Sequence, residues 1–511
     1  MKILDCTLRD GGYCNEWRFG KKNIWKIVDG LFEARIDIVE CGFLTKKIKH
    51  DPDLTQFNDM KEISETISSD VSDQMLVCMI NCGEYDLEAL PECRETPVRG
   101  IRLAFHKRDI DQAFREACII QGKGYALFLQ PMVSLNYSDE EFLSLIRRSN
   151  AIHPYAFYIV DSFGVMKQRD LIRLFCLVEH NLDEGIAIGF HSHNNMQLSF
   201  SNAQVFLGCA SEHELIIDAS VYGMGRGAGN LNTELLVEFV NENYEKKYRL
   251  RPLLLIIDEI LNAFYQQNYW GYSLPNYLSA KHNVHPNYAG YLDAKRTLTI
   301  DNMNDLFSLM SDEKKVQFDK EYMEQLYLAY MTSGGENESQ MEERKKAFAD
   351  KTILVIAPGR SCIEEKEKIV GEMKGDIISI SVNFSYPEKE TDFIFLSNLR
   401  RYRELPSELL EKCIVTSNIP TDTFYLKTDY RMLLNDREGV TDNAALMLLK
   451  FLMNLKCKEV LIAGMDGYED EKRRSVNEGV QEVLGEYHKE MSIRFLTTPR
   501  RIRLYEHNNS R

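Results

Sequence analysis

Over the first 230 residues, short apolar runs alternate with longer stretches whose apolar residues recur at helical spacing. Parallel strands buried on both faces read as near-continuous apolar runs, and amphipathic helices as apolar residues at i, i+3 and i+4. The runs predict eight strands, at 2–7, 36–43, 74–80, 100–105, 125–131, 157–161, 187–191 and 215–221. Stretches such as 22–34, 111–122, 138–150 and 167–181 predict helices between them. Eight strand–helix repeats fit a (β/α)8 TIM barrel better than an open doubly wound sheet, which requires no such count.

Polar residues gather where these strands end, as in Thr7-Leu8-Arg9-Asp10, Glu40-Cys41-Gly42, His106, Gln130-Pro131, Asp161-Ser162, His191-Ser192-His193 and Tyr222-Gly223-Met224-Gly225-Arg226. In a barrel the C-terminal strand ends and the loops after them share one mouth, so these groups are expected to converge. Residues 240–331 read as helical, with periodicity over 253–265 and 320–331. Between those runs lies an aromatic piece, Tyr269-Trp270-Gly271-Tyr272-Ser273-Leu274-Pro275-Asn276-Tyr277, with His282 and His285 after it. We expect a helical extension across the barrel mouth, then a polar, Gly-containing linker over 332–339.

A second α/β pattern starts near Lys351, with strands expected at 353–357, 377–382, 393–397, 413–417 and 459–463 and a helix over 442–455. It reads as an open, Rossmann-like sheet whose first turn, Pro358-Gly359-Arg360-Ser361, is a candidate phosphate or nucleotide site. The expected organisation is a barrel over 1–300, a helical extension and linker over 301–349, and a Rossmann-like domain over 350–511.

Composition narrows the function classes. A net charge of −16 argues against general nucleic-acid binding, which needs a basic footprint. No run of about eighteen uncharged apolar residues occurs, so no membrane insertion is expected. Met1-Lys2-Ile3-Leu4-Asp5 leads straight into a strand-like segment without a secretory pattern, which gives a cytoplasmic expectation. The twelve cysteines fall at no usual zinc spacing and read mostly as buried thiols.

His191 and His193 are two apart at a strand end, so their imidazoles share one face. With Asp10 they form a carboxylate-plus-two-imidazole set suited to Mn, Zn, Co or Fe, and to Mg at lower affinity. Arg9 is always charged and stands ready for an oxyanion. A metal and an arginine together favour enolate chemistry beside a carbonyl. Gly223-x-Gly225-x-Gly227-x-Gly229-Asn230 is either a backbone approached by ligand, with Asn230 as a further metal ligand, or a tight barrel-closing turn.

Asp5-Cys6-Thr7-Leu8-Arg9-Asp10-Gly11 resembles the Asp-Thr-Thr-Leu-Arg-Asp-Gly signature of the DRE-TIM metallolyases. Asp161-Ser162-Phe163-Gly164-Val165-Met166, Phe190-His191-Ser192-His193-Asn194 and Gly223–Asn230 resemble three further motifs of that superfamily, in order and at the matching strand ends. The superfamily includes 4-hydroxy-2-oxovalerate aldolases, hydroxymethylglutaryl-CoA lyases and the isopropylmalate, citramalate and homocitrate synthases. The resemblance spans about residues 1–300 and implies a divalent metal, manganese first, held by Asp10, His191, His193 and, as a further ligand, Asn230. It further implies Arg9 as stabiliser of a pyruvate enolate and Ser162 as a holder of the α-keto acid. The aldolases are the nearest group, because Gly271-Tyr272-Ser273 with Tyr277 is similar to their tyrosine-bearing aromatic stretch, and Tyr272 takes that role.

One departure is local. The aldolases carry a histidine base shortly after the first motif, where this chain has Gly11-Gly12-Tyr13. Tyr13 stands in its place, with His106, His282 and His285 as other candidates. In the C-terminal part, Ile356–Ser361, Thr441-Asp442-Asn443-Ala444 and Ile462–Tyr468 resemble sialyltransferase-like and hydroxymethylpterin-diphosphokinase-like domains. That implies a nucleotide or nucleotide-sugar site involving Gly359, Ser361, Asn383, Asn398 and Asp466.

The leading expectation is a metal-dependent aldolase acting on a small α-keto acid and an aldehyde, in surface-glycan or keto-sugar metabolism. A Claisen-type acyl-CoA synthase and a non-catalytic barrel serving the second domain are the rival readings. A homodimer is the expected assembly, since closed two-fold dimers are commonest.

Overall fold

In the computed structural model, which describes residues 1–49, 51–67, 74–332, 346–375, 377–470 and 473–503, the apolar runs become strands. The first nine are β1 (Lys2–Asp5), β2 (Ile38–Leu44), β3 (Gln56–Phe57), β4 (Met75–Asn81), β5 (Gly100–Phe105), β6 (Ala126–Pro131), β7 (Ala156–Asp161), β8 (Ala187–Ser192) and β9 (Leu215–Ala219). Their order is β1-β9-β8-β7-β6-β5-β4-β2-β3, all parallel, and an additional β1–β2 pairing closes eight of them into a barrel. The two-residue β3 extends the end of β2.

Alternation within the strands sorts side chains into two layers. Ile101, Leu103 and Phe105 of β5 face the helices, as do Ile188 and Phe190 of β8 and Ile217 of β9. Leu4, Ile38, Val77, Phe128, Tyr158 and Ile216 fill the interior. By the same period Glu40, Arg102, Gly189, His191 and Asp218 face inward. Gly189 is required there, because a Cβ would collide with the Tyr158 ring.

The first strand is shorter than the sequence suggests. It ends at Asp5, whose Oδ1 accepts from the Thr7 backbone N–H at 2.9 Å. This bond turns the chain out of the ladder into a one-turn helix, Thr7–Asp10, closed by Asp10 N donating to Cys6 O at 2.8 Å. Arg9 and Asp10 therefore sit on a buried turn above the barrel, not on a strand. The predicted helices form with small shifts, as Lys21–Glu33, Ile110–Gly122, Asp139–Ile152 and Gln168–Glu179. Ser138 and Glu141 make a capping box at the third of these.

The chain divides into two units, Met1–Tyr291 with Phe307–Phe318, and Leu292–Leu306 with Asp319–Arg511. Within the first, Leu250–Ile256 packs on the outside of the barrel, where the Ile256 side chain covers Gly30. The aromatic piece after it reaches the mouth loops, with Trp270 Nε1 donating to Tyr222 O at 3.0 Å and Asn268 Nδ2 to Cys14 O at 2.9 Å. The linker read over 332–339 lies, beyond Thr332, outside the described residues. Among the described residues no helix is long and apolar enough to cross a membrane.

The second unit is built on a separate all-parallel sheet: β10 (Thr352–Ile356), β11 (Ile378–Val382), β12 (Phe393–Leu396), β13 (Cys413–Thr416), β14 (Leu426–Thr428), β15 (Glu459–Ala463) and β16 (Ile493–Phe495). Their order, β14-β13-β12-β11-β10-β15-β16, reverses direction at β10. The two outer strands, β14 and β16, are additions to the five expected. The helix Ala444–Asn454 is capped by Asn443, whose side chain accepts from the backbone of Ala445 and Leu446.

Candidate metal centre

Three protein elements meet above the barrel axis. Asp10 comes from the turn after β1, His191 from the last residues of β8 and His193 from just beyond it. Asn230, in the loop after β9, forms an isolated bridge with His193. One ligating atom each from Asp10, His191 and His193 lies within 4.8 Å of the others, and all three residues are buried. His191 Nε2 and His193 Nε2 stand 3.7 Å and 3.6 Å from Asp10 Oδ2, too far to hydrogen-bond and close enough to share an ion.

The polar atoms fit that use. Both Asp10 carboxylate oxygens and Asn230 Oδ1 are buried and accept no hydrogen bond. Buried acceptors are rarely left bare, because the desolvation cost goes unreturned. Asn230 Nδ2 donates to Met224 O at 3.3 Å, which leaves Oδ1 as the free end. Burial opposes ionisation of Asp10, but Arg9, the two imidazoles and Arg226 outweigh it and hold its pKa below the carboxylate range. Burial pushes the His193 imidazole down to about 3, so at neutral pH it is the uncharged, metal-ligating form.

Beneath the ligands runs a buried ionic chain. His191 Nδ1 meets Asp218 Oδ2 at 2.9 Å, which turns Nε2 toward Asp10. Arg102 Nη2 donates to the same Asp218 oxygen, and its Nη1 donates to Glu40 Oε2 at 2.6 Å. Glu40 Oε2 also accepts from Arg9 Nε at 2.9 Å, and Arg9 Nη1 lies 3.2 Å from Asp10 Oδ1. The Arg102 guanidinium additionally lies 5.1 Å from the Tyr158 ring centre. Sequence reading found Arg9 and the end of β2 but missed Arg102 and Asp218. The available signal was a lone charge inside an apolar strand, in Ile101-Arg102-Leu103 and Ile217-Asp218-Ala219.

The other expected residues are placed as follows. Ser162 is buried after β7, its Oγ accepting from Val133 N at 2.9 Å, and it lines a cavity of about 340 Å³ with Val133, Phe163 and Lys315. Tyr13 is 39% exposed, packed against Trp17 at 4.7 Å between ring centres, with the Arg226 guanidinium 5.4 Å from its ring. Tyr272 is 47% exposed, and its carbonyl accepts from the Tyr269 hydroxyl. Among the described residues, Tyr272 makes no hydrogen bond or ion pair with Asp10, His191 or His193. His285 lies beside Arg226 and packs edge-on against Phe163 at 5.8 Å.

In the second unit three of the five candidates come together at the turns after β10 and β15. Gly359 N donates to Gly464 O at 2.8 Å, and Ser361 N donates to Asp466 Oδ2 at 2.7 Å. Ser361 Oγ pairs with Thr497 Oγ1 at 2.9 Å, while Asp466 Oδ1 is buried and unpartnered. Asn383 and Asn398 follow β11 and β12. Asn383 Oδ1 accepts from Ser397 N at 3.4 Å, and Asn398 caps the helix Leu399–Arg403.

Residues 1–253 match the HMGL-like family. A 4-hydroxy-2-oxovalerate aldolase of Geobacillus genomosp. 3 is 27% identical over 241 residues, covering 46% of this chain and 69% of the relative. The protein of the same description from Carboxydothermus hydrogenoformans is 25% identical over 276 residues, covering 51% and 77%. Among solved structures, the N-terminal domain of a proposed aldolase from Bacteroides vulgatus superposes with a TM-score of 0.50 at 26% identity, covering 57% of this chain and 96% of that domain. The carboxyl transferase domain of Rhizobium etli pyruvate carboxylase shares the fold at 12% identity, with a TM-score of 0.50, over 68% of this chain and 64% of that one.

Proposed function

We propose that this HMGL-like barrel is a divalent-metal-dependent aldolase that makes or breaks a carbon–carbon bond through a pyruvate enolate. The observation that carries the reading is the convergence of Asp10, His191 and His193, with bare acceptors, beside the Arg9 guanidinium. A divalent cation held by these residues and Asn230, manganese first, would supply Lewis-acid polarisation of the keto-acid carbonyl.

Arg9 keeps its charge, and Glu40 holds it through Nε, so its remaining N–H donors are oriented for an oxyanion. Ser162 holds the α-keto acid. Tyr13, or failing it Tyr272, takes the proton of the C4 hydroxyl of a 4-hydroxy-2-oxo acid, either as the phenolate or through a bridging water that passes the proton to solvent. The C3–C4 bond then breaks, its electron pair stays on the three-carbon fragment as the enolate, and the aldehyde leaves. Protonation of that carbon gives pyruvate, and the reverse sequence joins pyruvate to an aldehyde.

In the second unit we assign Gly359, Ser361, Asp466, Asn383 and Asn398 to a nucleotide or nucleotide sugar, at the point where strand order reverses. Asp466 already takes the Ser361 N–H, so its bare Oδ1 suits a donating ribose hydroxyl better than a phosphate. Calorimetry with a nucleoside and its diphosphate tests this, with the nucleoside expected to retain most of the affinity. A setting in surface-glycan or keto-sugar metabolism follows from this pairing of units.

Solvent-deuterium exchange into the methyl group of pyruvate tests the barrel reading. Exchange is expected with manganese, lost with chelator and lost in Arg9→Ala. Absent exchange in metal-loaded protein overturns the pyruvate reading, and release of free CoA from acetyl-CoA and a keto acid would install the Claisen reading instead.

A further inference from the structure

Arg226 occupies the loop after β9, in the second variable position of Gly223-x-Gly225-x-Gly227. Its guanidinium has an unusual set of partners. Nη2 donates to Ser162 O at 3.2 Å, Nη1 stands 3.5 Å from His285 Nε2, and Nε is buried with no acceptor. Arg9 and Arg102 each pair with carboxylates, but among the described residues no carboxylate pairs with Arg226. A half-buried cation without a directly paired carboxylate carries a desolvation cost that a bound anion would offset.

His285 sharpens the picture. Its Nδ1 accepts from the Asn287 backbone N–H at 3.2 Å, so the single proton of the neutral ring sits on Nε2. Burial first, then Arg226, His106 and His193, push this imidazole down to about 2, so it is neutral across the physiological range. His285 Nε2–H and Arg226 Nη1–H are therefore two donors facing one another at 3.5 Å. What satisfies both is an acceptor, and next to a guanidinium an anionic one is best.

This position neighbours the metal centre. Arg226 lowers the pKa of Asp10 and of His193, as an adjacent positive charge must. It also binds the carbonyl of Ser162, the residue assigned to the keto acid. The keto acid's own carboxylate has Ser162 and the Asp10–His191–His193 group, so a second anion at Arg226 belongs to the other reactant.

We propose that Arg226 and His285 form the subsite for an anionic group, carboxylate or phosphate, on the aldehyde partner. This rests on the aldolase reading above and narrows its substrate class from aldehydes in general to aldehydes bearing a negative charge. A fork-shaped guanidinium donor pair suits either oxyanion.

The test uses the full-length, manganese-loaded protein and compares kcat/KM for pyruvate addition to succinic semialdehyde, glycolaldehyde phosphate and butanal. The anionic aldehydes are expected to exceed butanal by about 10- to 100-fold, the range of one charge-assisted interaction. Whichever of the two is preferred identifies the carboxylate or the phosphate. In Arg226→Gln that anionic-to-neutral ratio collapses toward one, and in Arg226→Lys part of it returns. Succinate or inorganic phosphate should compete with the aldehyde in wild type and not in Arg226→Gln, read by inhibition. An unchanged ratio in a folded Arg226→Gln, with wild-type methyl exchange of pyruvate intact, overturns the subsite and leaves the aldolase standing. Loss of wild-type methyl exchange overturns both.

Discussion

His191 Nδ1 and Asp218 Oδ2 are 2.9 Å apart, and that same carboxylate oxygen receives Arg102 from the other side. One oxygen thus couples a candidate metal ligand to the ionic core of the barrel. It fixes which imidazole nitrogen faces Asp10 and raises that nitrogen's basicity.

Asp218→Asn removes the charge and keeps the shape. Metal affinity is expected to fall about 10- to 100-fold, the usual effect of losing a carboxylate behind a ligating histidine. Competition of bound manganese against a fluorescent chelator reads this directly. An affinity within twofold of wild type would mean that Asp218 serves Arg102 alone.

Arg102→Met leaves Glu40 and Asp218 facing each other without their shared cation. Breaking a buried ion network from one side costs about 3–5 kcal/mol. The three tryptophans, Trp17, Trp25 and Trp270, all lie in the unit containing the barrel, so tryptophan fluorescence in urea follows that unit alone. The unfolding midpoint is expected to drop accordingly. Arg102→Lys should recover little, because an ammonium cannot donate as a fork to two carboxylates.

His285→Gln tests the neutral state of that ring through pH. The folded pKa is depressed to about 2, against an unfolded value of about 6.5. Between those values the unfolded chain holds the extra proton, so wild-type stability falls as pH drops below about 6.5. The slope from this one proton is at most about 1.4 kcal/mol per pH unit. Asp5 and Asp161, both raised to about 6 chiefly by burial, act in the opposite sense below pH 6, but they are common to both proteins and cancel on subtraction. The difference between wild-type and His285→Gln melting temperatures should therefore shrink or reverse on acidification from pH 8 to 5. A constant difference would mean that folding does not depress the His285 pKa.

The barrel strands were legible because strands covered on both faces cannot hide their apolar runs, and β5 appears at its predicted limits, Gly100–Phe105. The Asp10–His191–His193 cluster was legible because His191 and His193 are neighbours in sequence and Asp10 sits in a recognisable motif. Arg102, Asp218 and Glu40 were harder to read, since their pairing depends on which way each strand faces and how eight strands line up. The turn Thr7–Asp10 was missed because a single side-chain bond, Asp5 to Thr7, outweighs a strand-like composition. The short β14 and β16 lack any run long enough to register. The opposed donors of Arg226 and His285 arise from residues 59 positions apart and leave no local pattern.

Closure of the barrel by β1 between β2 and β9 also sets an order of events. Asp10 follows the first barrel strand in chain order, yet β1 gains its second neighbour only after β9 has been made. His193 and Asn230 are bridged later still. The nascent chain therefore carries an acid and an arginine through most of the barrel's synthesis before their partners exist. Sequence separations of this size make such folds slow to form. Capture of a metal at the proposed centre would thus be a late event that registers completion of the barrel, and a product terminated before residue 230 lacks Asn230, the further ligand proposed for it.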